Sequence, residues 1–100
     1  MQEAFVKSEI AKGIGTITFF HPQSNSMPGE QLRKLAAEIE KLGKDESARV
    51  IVLKSEGDKA FCAGASFDEL ISIKDIDTGL RFFSGFAAVI NAMRKAPKFI

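Results

Sequence analysis

Ala60-Phe61-Cys62-Ala63-Gly64-Ala65-Ser66-Phe67-Asp68-Glu69-Leu70 is the stretch on which the reading of this chain turns. It lies a few residues after Arg49-Val50-Ile51-Val52-Leu53-Lys54, an apolar run of strand length. Ala63, Gly64 and Ala65 are small enough for a ligand to approach the main chain. Ser66 and Glu69 form a Ser-x-x-Glu capping box, so a short helix is expected to begin there. Backbone N–H groups at a helix start lack helical acceptors and attract negative charge. If Gly64 turns the chain sharply and Ser66 caps, the Ala65 N–H points into a cleft instead of into a ladder. One such donor, aimed where a carbonyl oxygen gains charge, contributes about 3–4 kcal/mol to catalysis. The plainer alternative is a small-residue turn packed tightly against a neighbour, and the stretch by itself leaves both open.

Outward from this turn, the other side chains read as structural. Asp68 and Glu69 resemble a catalytic carboxylate pair, but both fall in a first helical turn, where the dipole favours acids. Cys62 has no base beside it and reads as a buried structural thiol. Lys59 can reach a phosphate as a mobile point charge or serve as one more solvated lysine. His21 has no partner motif and reads as an ordinary loop residue.

Towards the amino terminus, residues 5–10 and 14–20 are rich in β-branched and aromatic side chains around Lys12-Gly13, a hairpin pattern. Gly13-Ile14-Gly15 is followed by strand residues and not by a helix, so it is a turn and not a phosphate loop. After the loop His21-Pro22-Gln23-Ser24-Asn25-Ser26, Ser26 is expected to cap a helix with Pro28 in its first turn. Leu32, Leu35, Ala36, Ile39 and Leu42 line one face of it. Glu30 and Lys34 pair on the other face, and Gly43 is expected at C′. The run 49–54 is then a strand too uniformly apolar to face water, and strand–helix–strand order suggests a right-handed crossover.

Towards the carboxyl terminus, the short helix from Ser66 is expected to turn Leu70, Ile71 and Ile73 inward. Asp75-Ile76-Asp77-Thr78 separates it from a longer helix over residues 79–95. Leu80, Phe83, Phe86, Ala87, Ile90 and Met93 form one stripe there, and Phe82 and Val89 a second. So broad an apolar surface is expected to be covered on two sides, in a larger core or at a subunit contact. Pro97-Lys98-Phe99-Ile100 looks like the entry to another strand, so the chain reads as part of a longer one.

With 100 residues, 45% hydrophobic and 27% charged, the chain is at most one ordinary domain and not a disordered one. The formal net charge of +1 comes from interspersed signs, which does not suggest nucleic acid as a partner. No apolar run is long enough for a membrane span, and Met1-Gln2-Glu3-Ala4 does not resemble a secretory signal. A single cysteine makes a reducing cytoplasm the expectation.

Order of elements and motifs together resemble the enoyl-CoA hydratase/isomerase family, the crotonase superfamily, over nearly the whole chain. Gly15-Thr16-Ile17-Thr18-Phe19-Phe20-His21-Pro22 resembles its first strand and loop, and Asn25-Ser26-Met27 its Asn-Ala-Leu segment. Ala48 to Leu53 followed by Ala60-Phe61-Cys62-Ala63-Gly64-Ala65 is the strongest match. Pro97-Lys98-Phe99-Ile100 is similar to its Pro-Lys-Pro-Val strand entry. The resemblance implies an α/β fold, a crotonase-like spiral of repeated ββα units, incomplete here, with residues 1–100 as the amino-terminal part of one domain. It implies a homotrimer or hexamer acting on acyl-CoA thioesters as a 2-enoyl-CoA hydratase or enoyl-CoA isomerase, a lyase or isomerase, with no metal and no cofactor apart from the CoA of the substrate. A non-catalytic CoA-thioester-binding or structural paralogue is the alternative.

By the same resemblance, Ala65 donates one oxyanion-hole N–H. Ala63, Ser66 and Phe67 line the CoA site through backbone atoms, with Ser24, Ser26 and Lys59 also near CoA. Ser66 stands where the family often has Asp, which keeps a capping role. Asp68 stands where a lysine is common, which removes one possible phosphate contact. The second oxyanion donor and the catalytic glutamates of the family fall beyond Ile100.

Overall fold

A computed structural model describes residues 2–100. β1 (Phe5–Ala11) and β2 (Ile14–Phe20) form an antiparallel hairpin in register from Phe5 opposite Phe20 to Ala11 opposite Ile14. Lys12 and Gly13 between them both have positive φ, 54° and 81°, as a two-residue turn matched to strand twist requires. On its other edge β2 pairs in parallel with β4 (Val50–Ser55), giving the order β1-β2-β4. Central position explains burial: Ile17 and Phe19 of β2 are almost fully enclosed.

The link between β2 and β4 carries the two-residue strand β3 (Ser26–Met27) and helix α1 (Gly29–Lys44). Leu32, Leu35, Ala36, Ile39 and Leu42 are all buried, as their spacing predicts. Glu30 and Lys34 pair at 3.4 Å on the exposed side. Helix α3 (Ile76–Lys95) lies on α1 through Phe82, Gly85, Val89 and Ala92. A Cβ on Gly85 would come within 3.2 Å of Leu32, so the missing side chain sets how closely the helices approach. The result is sheet, α1 and α3 in sequence. Residues 97–100 return beside β4, where Phe99 O accepts from Ile51 N–H, although they form no strand.

Helix ends depart from the local rules. Ser26 does not cap α1: it belongs to β3, and the N-cap is Pro28, which offers no side-chain acceptor. The acceptor comes from Glu69, whose Oε2 takes the Gly29 N–H at 2.9 Å. Gly43 lies buried inside α1 beside Ala96, and the helix runs on to Lys44 with Asp45 as its cap. The Lys98 ammonium donates to Leu42 O and Asp45 O, supplying positive charge where the dipole wants it. α3 begins three residues before the expected start. Asp75 and Thr78 form a reciprocal capping box, Thr78 N–H to Asp75 Oδ1 being 2.8 Å.

Two burial expectations are corrected. Of the residues expected to turn inward at α2 (Phe67–Ser72), Leu70 and Ile73 are only half-buried and Ile71 is 71% exposed, and polar contacts from Asp68 and Glu69 join the helix to other elements. Val52 is 42% exposed, so the β4 face away from α1 meets solvent in this chain. On α3 the Phe82/Val89 stripe is packed and Phe86 is half-buried against the core, while Leu80, Phe83 and Ile90 are each more than half exposed and await the second cover their breadth suggests.

Ile39, fully buried between sheet and α3, sets the scale of the core. Ile39→Ala is expected to cost about 2–5 kcal/mol in urea unfolding, and a loss below about 1 kcal/mol would contradict this packing. The Thr78 backbone N–H, and then its hydroxyl, hold the Asp75 carboxyl below its ordinary value of 3.8. A carboxyl lowered in the folded state stabilises above its unfolded value, and that contribution fades as pH falls through the lowered one. Acidification below about pH 4 is therefore expected to lower the protection of the Thr78 amide relative to its intrinsic exchange rate, an effect that Asp75→Asn abolishes.

Candidate functional site

The site grows from a second, very short pairing. β5 (Gly64–Ala65) runs parallel to β3, with Ser26 opposite Gly64 and Met27 opposite Ala65. Ser66 N–H donates to Met27 O at 3.3 Å, and Ala63 N–H donates to Asn25 O at 3.3 Å. The next donor on that side of β3 would be the Gly29 N–H, which goes to the Glu69 carboxylate, so the pairing stops after two residues. Successive N–H groups of an extended strand point to opposite sides. With Ser66 turned towards β3, the Ala65 N–H is turned away, and β5 has no strand on that edge. No loop, cap or side-chain acceptor takes it among the described residues. Gly64, at φ +92°, makes the bend that a side chain would strain, and its own N–H is 3.4 Å from Cys62 Sγ.

Ser66 then caps α2, its hydroxyl accepting the Glu69 N–H at 3.3 Å. Only half of the expected capping box forms, because the Glu69 carboxylate reaches Gly29 instead of turning back to Ser66. Asp68 accepts from Gln23 Nε2 at 3.1 Å. Both acids are therefore structural, as expected, but they join α2 to other elements in place of capping their own helix. A Cβ at Gly29 would sit 2.9 Å from Glu69 Oε1, so glycine there admits the carboxylate.

The expected site residues fall into two groups. Ala63, Ala65, Ser66 and Phe67 are contiguous along β5 and the start of α2, and Ser26 lies beside them across the ladder. Phe67 is 73% exposed and Ser66 is buried. Ser24 and Lys59 come together in a separate cleft of about 180 Å³, lined also by His21, Asn25, Glu56 and Asp58. Those two acids offset the charge of Lys59, which makes no ion pair with the described residues. Ala65 lines none of the clefts described, and a larger one of about 360 Å³ lies away from it, between the ends of α1 and α3.

Cys62 is exposed and not buried: the apolar contact of this loop to the core is made by its neighbour Phe61, on Phe19. His21 uses Nδ1 to accept the Gln23 N–H at 3.1 Å, in keeping with an ordinary loop role. No group of three or more His, Cys, Asp or Glu is arranged to hold a metal among the described residues, and no described helix is long and apolar enough to cross a membrane.

Two buried polar residues escape the sequence reading. Gln31, 3% exposed, donates to Phe5 O and Phe20 O and so ties α1 to the open end of the hairpin. Its place one turn before Leu35 on the apolar stripe is the signal that could have marked it. Asn25, also 3% exposed and at φ 61°, accepts from His21 N–H and donates to Glu56 O and Ala60 O. Asparagine's tolerance of left-handed backbone is the only local hint of that role.

Comparison with known proteins is consistent with this arrangement. The family model described as Enoyl-CoA hydratase/isomerase matches residues 9–95. The chain is 33% identical over 73 residues to rat mitochondrial methylglutaconyl-CoA hydratase, covering 73% of this chain and 23% of that protein. It is 32% identical over 69 residues to human mitochondrial enoyl-CoA delta isomerase 1, covering 69% and 23%. The chain thus spans about a quarter of the length of these curated relatives. The crystal structure of an enoyl-CoA hydratase from Geobacillus kaustophilus HTA426 superposes with a TM-score of 0.86 at 22% identity, over 99% of this chain and 38% of that one. The α/β arrangement is therefore a portion of the crotonase fold, and the chain belongs to the enoyl-CoA hydratase/isomerase family.

Proposed function

We propose that this chain forms the CoA-side half of an acyl-CoA-processing site, most simply in a 2-enoyl-CoA hydratase or an enoyl-CoA isomerase. The observation that carries this reading is the Ala65 N–H on the open edge of β5, held there by the pairing with β3. A thioester carbonyl seated against it receives a hydrogen bond that strengthens as the oxygen gains charge. That favours the enolate-like state shared by hydration and double-bond migration. In hydration, water adds across the double bond, its oxygen to the carbon β to the thioester and a proton to the α carbon. In isomerisation a proton leaves one carbon and returns to another. Both need an acid–base group, and Asp68 and Glu69 are committed to Gln23 and Gly29. In this reading the carboxylate and a second oxyanion donor are supplied from outside the turn.

Ala63, Ser66 and Phe67 line the CoA path with Ser26, while Ser24 and Lys59 stand near the phosphates. CoA arrives as part of the substrate, so no separate cofactor is required. The exposed Leu80/Phe83/Ile90 stripe suits burial in a larger fold or in a trimer or hexamer. An exposed, unpaired Cys62 suits a reducing compartment such as the cytoplasm. The commitment of both nearby acids also favours a second reading, CoA-thioester binding without turnover.

Offering a 2-enoyl-CoA and a 3-enoyl-CoA to the protein separates these readings. Consumption of the first by water uptake indicates a hydratase, interconversion of the two an isomerase, and binding alone the non-catalytic paralogue. Failure to bind either thioester would overturn the proposal. Ala65→Pro, which removes the N–H, is expected to lower turnover about 10²- to 10³-fold, and a loss below about threefold would contradict its role. Ser26 Oγ is buried with no hydrogen-bond partner among the described residues. Ser26→Ala is therefore expected to leave thermal stability unchanged or raise it by about 1 kcal/mol, and a marked loss would contradict that geometry.

A further inference from the structure

Ala65 can present its N–H only while the turn before it keeps its shape, and the apolar anchor of that stretch is Phe61, whose ring meets Phe19 edge-on at 5.3 Å, while residues 63–65 are small. Residues 56–60 are exposed or half-buried, and Ala63 itself is exposed. Yet two carbonyls of the 56–60 loop converge on a single buried side chain. Asn25 Nδ2 donates to Glu56 O at 3.0 Å and to Ala60 O at 2.9 Å, while its Oδ1 accepts the His21 N–H at 2.8 Å. The same residue's backbone carbonyl accepts the Ala63 N–H, and its N–H donates to His21 O. Five hydrogen bonds thus meet on one residue at φ 61°, immediately before β3.

We infer that Asn25 is the positioning residue of the oxyanion turn: it clamps the loop after β4 to the loop after β2 and so fixes the direction of the Ala65 N–H. It touches no reacting atom in this arrangement. The amide group is required chemically, since only a side chain with both an acceptor and two donors satisfies the His21 N–H and two carbonyls together. Aspartate keeps the acceptor but sets a carboxylate oxygen against two carbonyl oxygens. Glycine keeps the left-handed backbone and the Ala63 contact but removes the clamp. The catalytic meaning of this role rests on the acyl-CoA reading above, whereas the clamp itself does not.

Asn25→Asp and Asn25→Gly, each in the intact chain, test the inference by amide exchange without ligand. Both are expected to speed exchange at Ala63 and Ser66 about tenfold or more, while Ile17 and Ile51 in the core keep their rates. Unchanged rates at Ala63 and Ser66 in the glycine variant, or acceleration there only in step with Ile17 and Ile51, would overturn it. Raman spectra of bound crotonyl-CoA supply the functional half. The carbonyl stretch lowered in the unaltered chain is expected to move back towards its solution value in both variants, and retention of the full shift in a variant with a loosened turn would overturn the positioning role. Absence of any shift in the unaltered chain would sink the acyl-CoA reading alone, because exchange still decides the clamp.

Discussion

Everything about the candidate site follows from a ladder only two residues long. β3 stops at Met27 because the next N–H on that side, from Gly29, is taken by Glu69, and β5 stops at Ala65 because Ser66 begins to cap α2. Within so short a pairing, the side to which each N–H points is fixed by which neighbours are engaged. Ser66 turned inward leaves Ala65 turned outward. A pairing of this length is weak by itself, so its geometry depends on what surrounds it. Asn25 holds one approach to it, and Glu69 holds the other by joining α2 to the start of α1.

The larger framework supplies a rigid base for that arrangement. Ile17, Ile39, Leu42 and Ile51 are essentially enclosed between β2, β4 and α1. Gly85 lets α3 close on Leu32 from the far side. α1 is thus fixed along its length, and its first residue receives Glu69 from the site. Placement of the turn is consequently coupled to the core through a carboxylate that also completes a helix. Family membership and the mixture of hydratase and isomerase among similar proteins agree with such a division of labour. In the proposed reading a backbone donor serves either chemistry, and the choice between them belongs to acid–base groups this turn does not provide.

Much of the framework was legible because it is periodic. The α1 stripe, the Lys12-Gly13 hairpin and the parallel placement of β4 against β2 follow from spacing and turn chemistry. Errors concentrate where a residue's partner is remote. Ser26 has the right chemistry for an N-cap, but Glu69, 40 residues on, does the capping and leaves Ser26 to β3. Gly43 suits a helix stop, yet the helix runs on to Lys44, where the remote Lys98 ammonium takes the Leu42 and Asp45 carbonyls. Leu70 and Ile71 look like core residues, but one is half-buried and the other exposed, and polar links join α2 to other elements. At the turn itself, Gly64 and Ser66 were legible as bend and cap, while the clamp by Asn25 was not, since nothing local to residue 25 announces carbonyls at 56 and 60.

Direct observation of the Ala65 amide by NMR tests the central claim most sharply. In the ligand-free chain the account predicts fast solvent exchange at Ala65 beside slow exchange at Ser66. A 2-enoyl-CoA should then slow Ala65 exchange and shift its proton downfield, while a thioether analogue lacking the carbonyl should not. Protection of Ala65 in the free chain equal to that of Ser66, with no response to the thioester, would contradict the account.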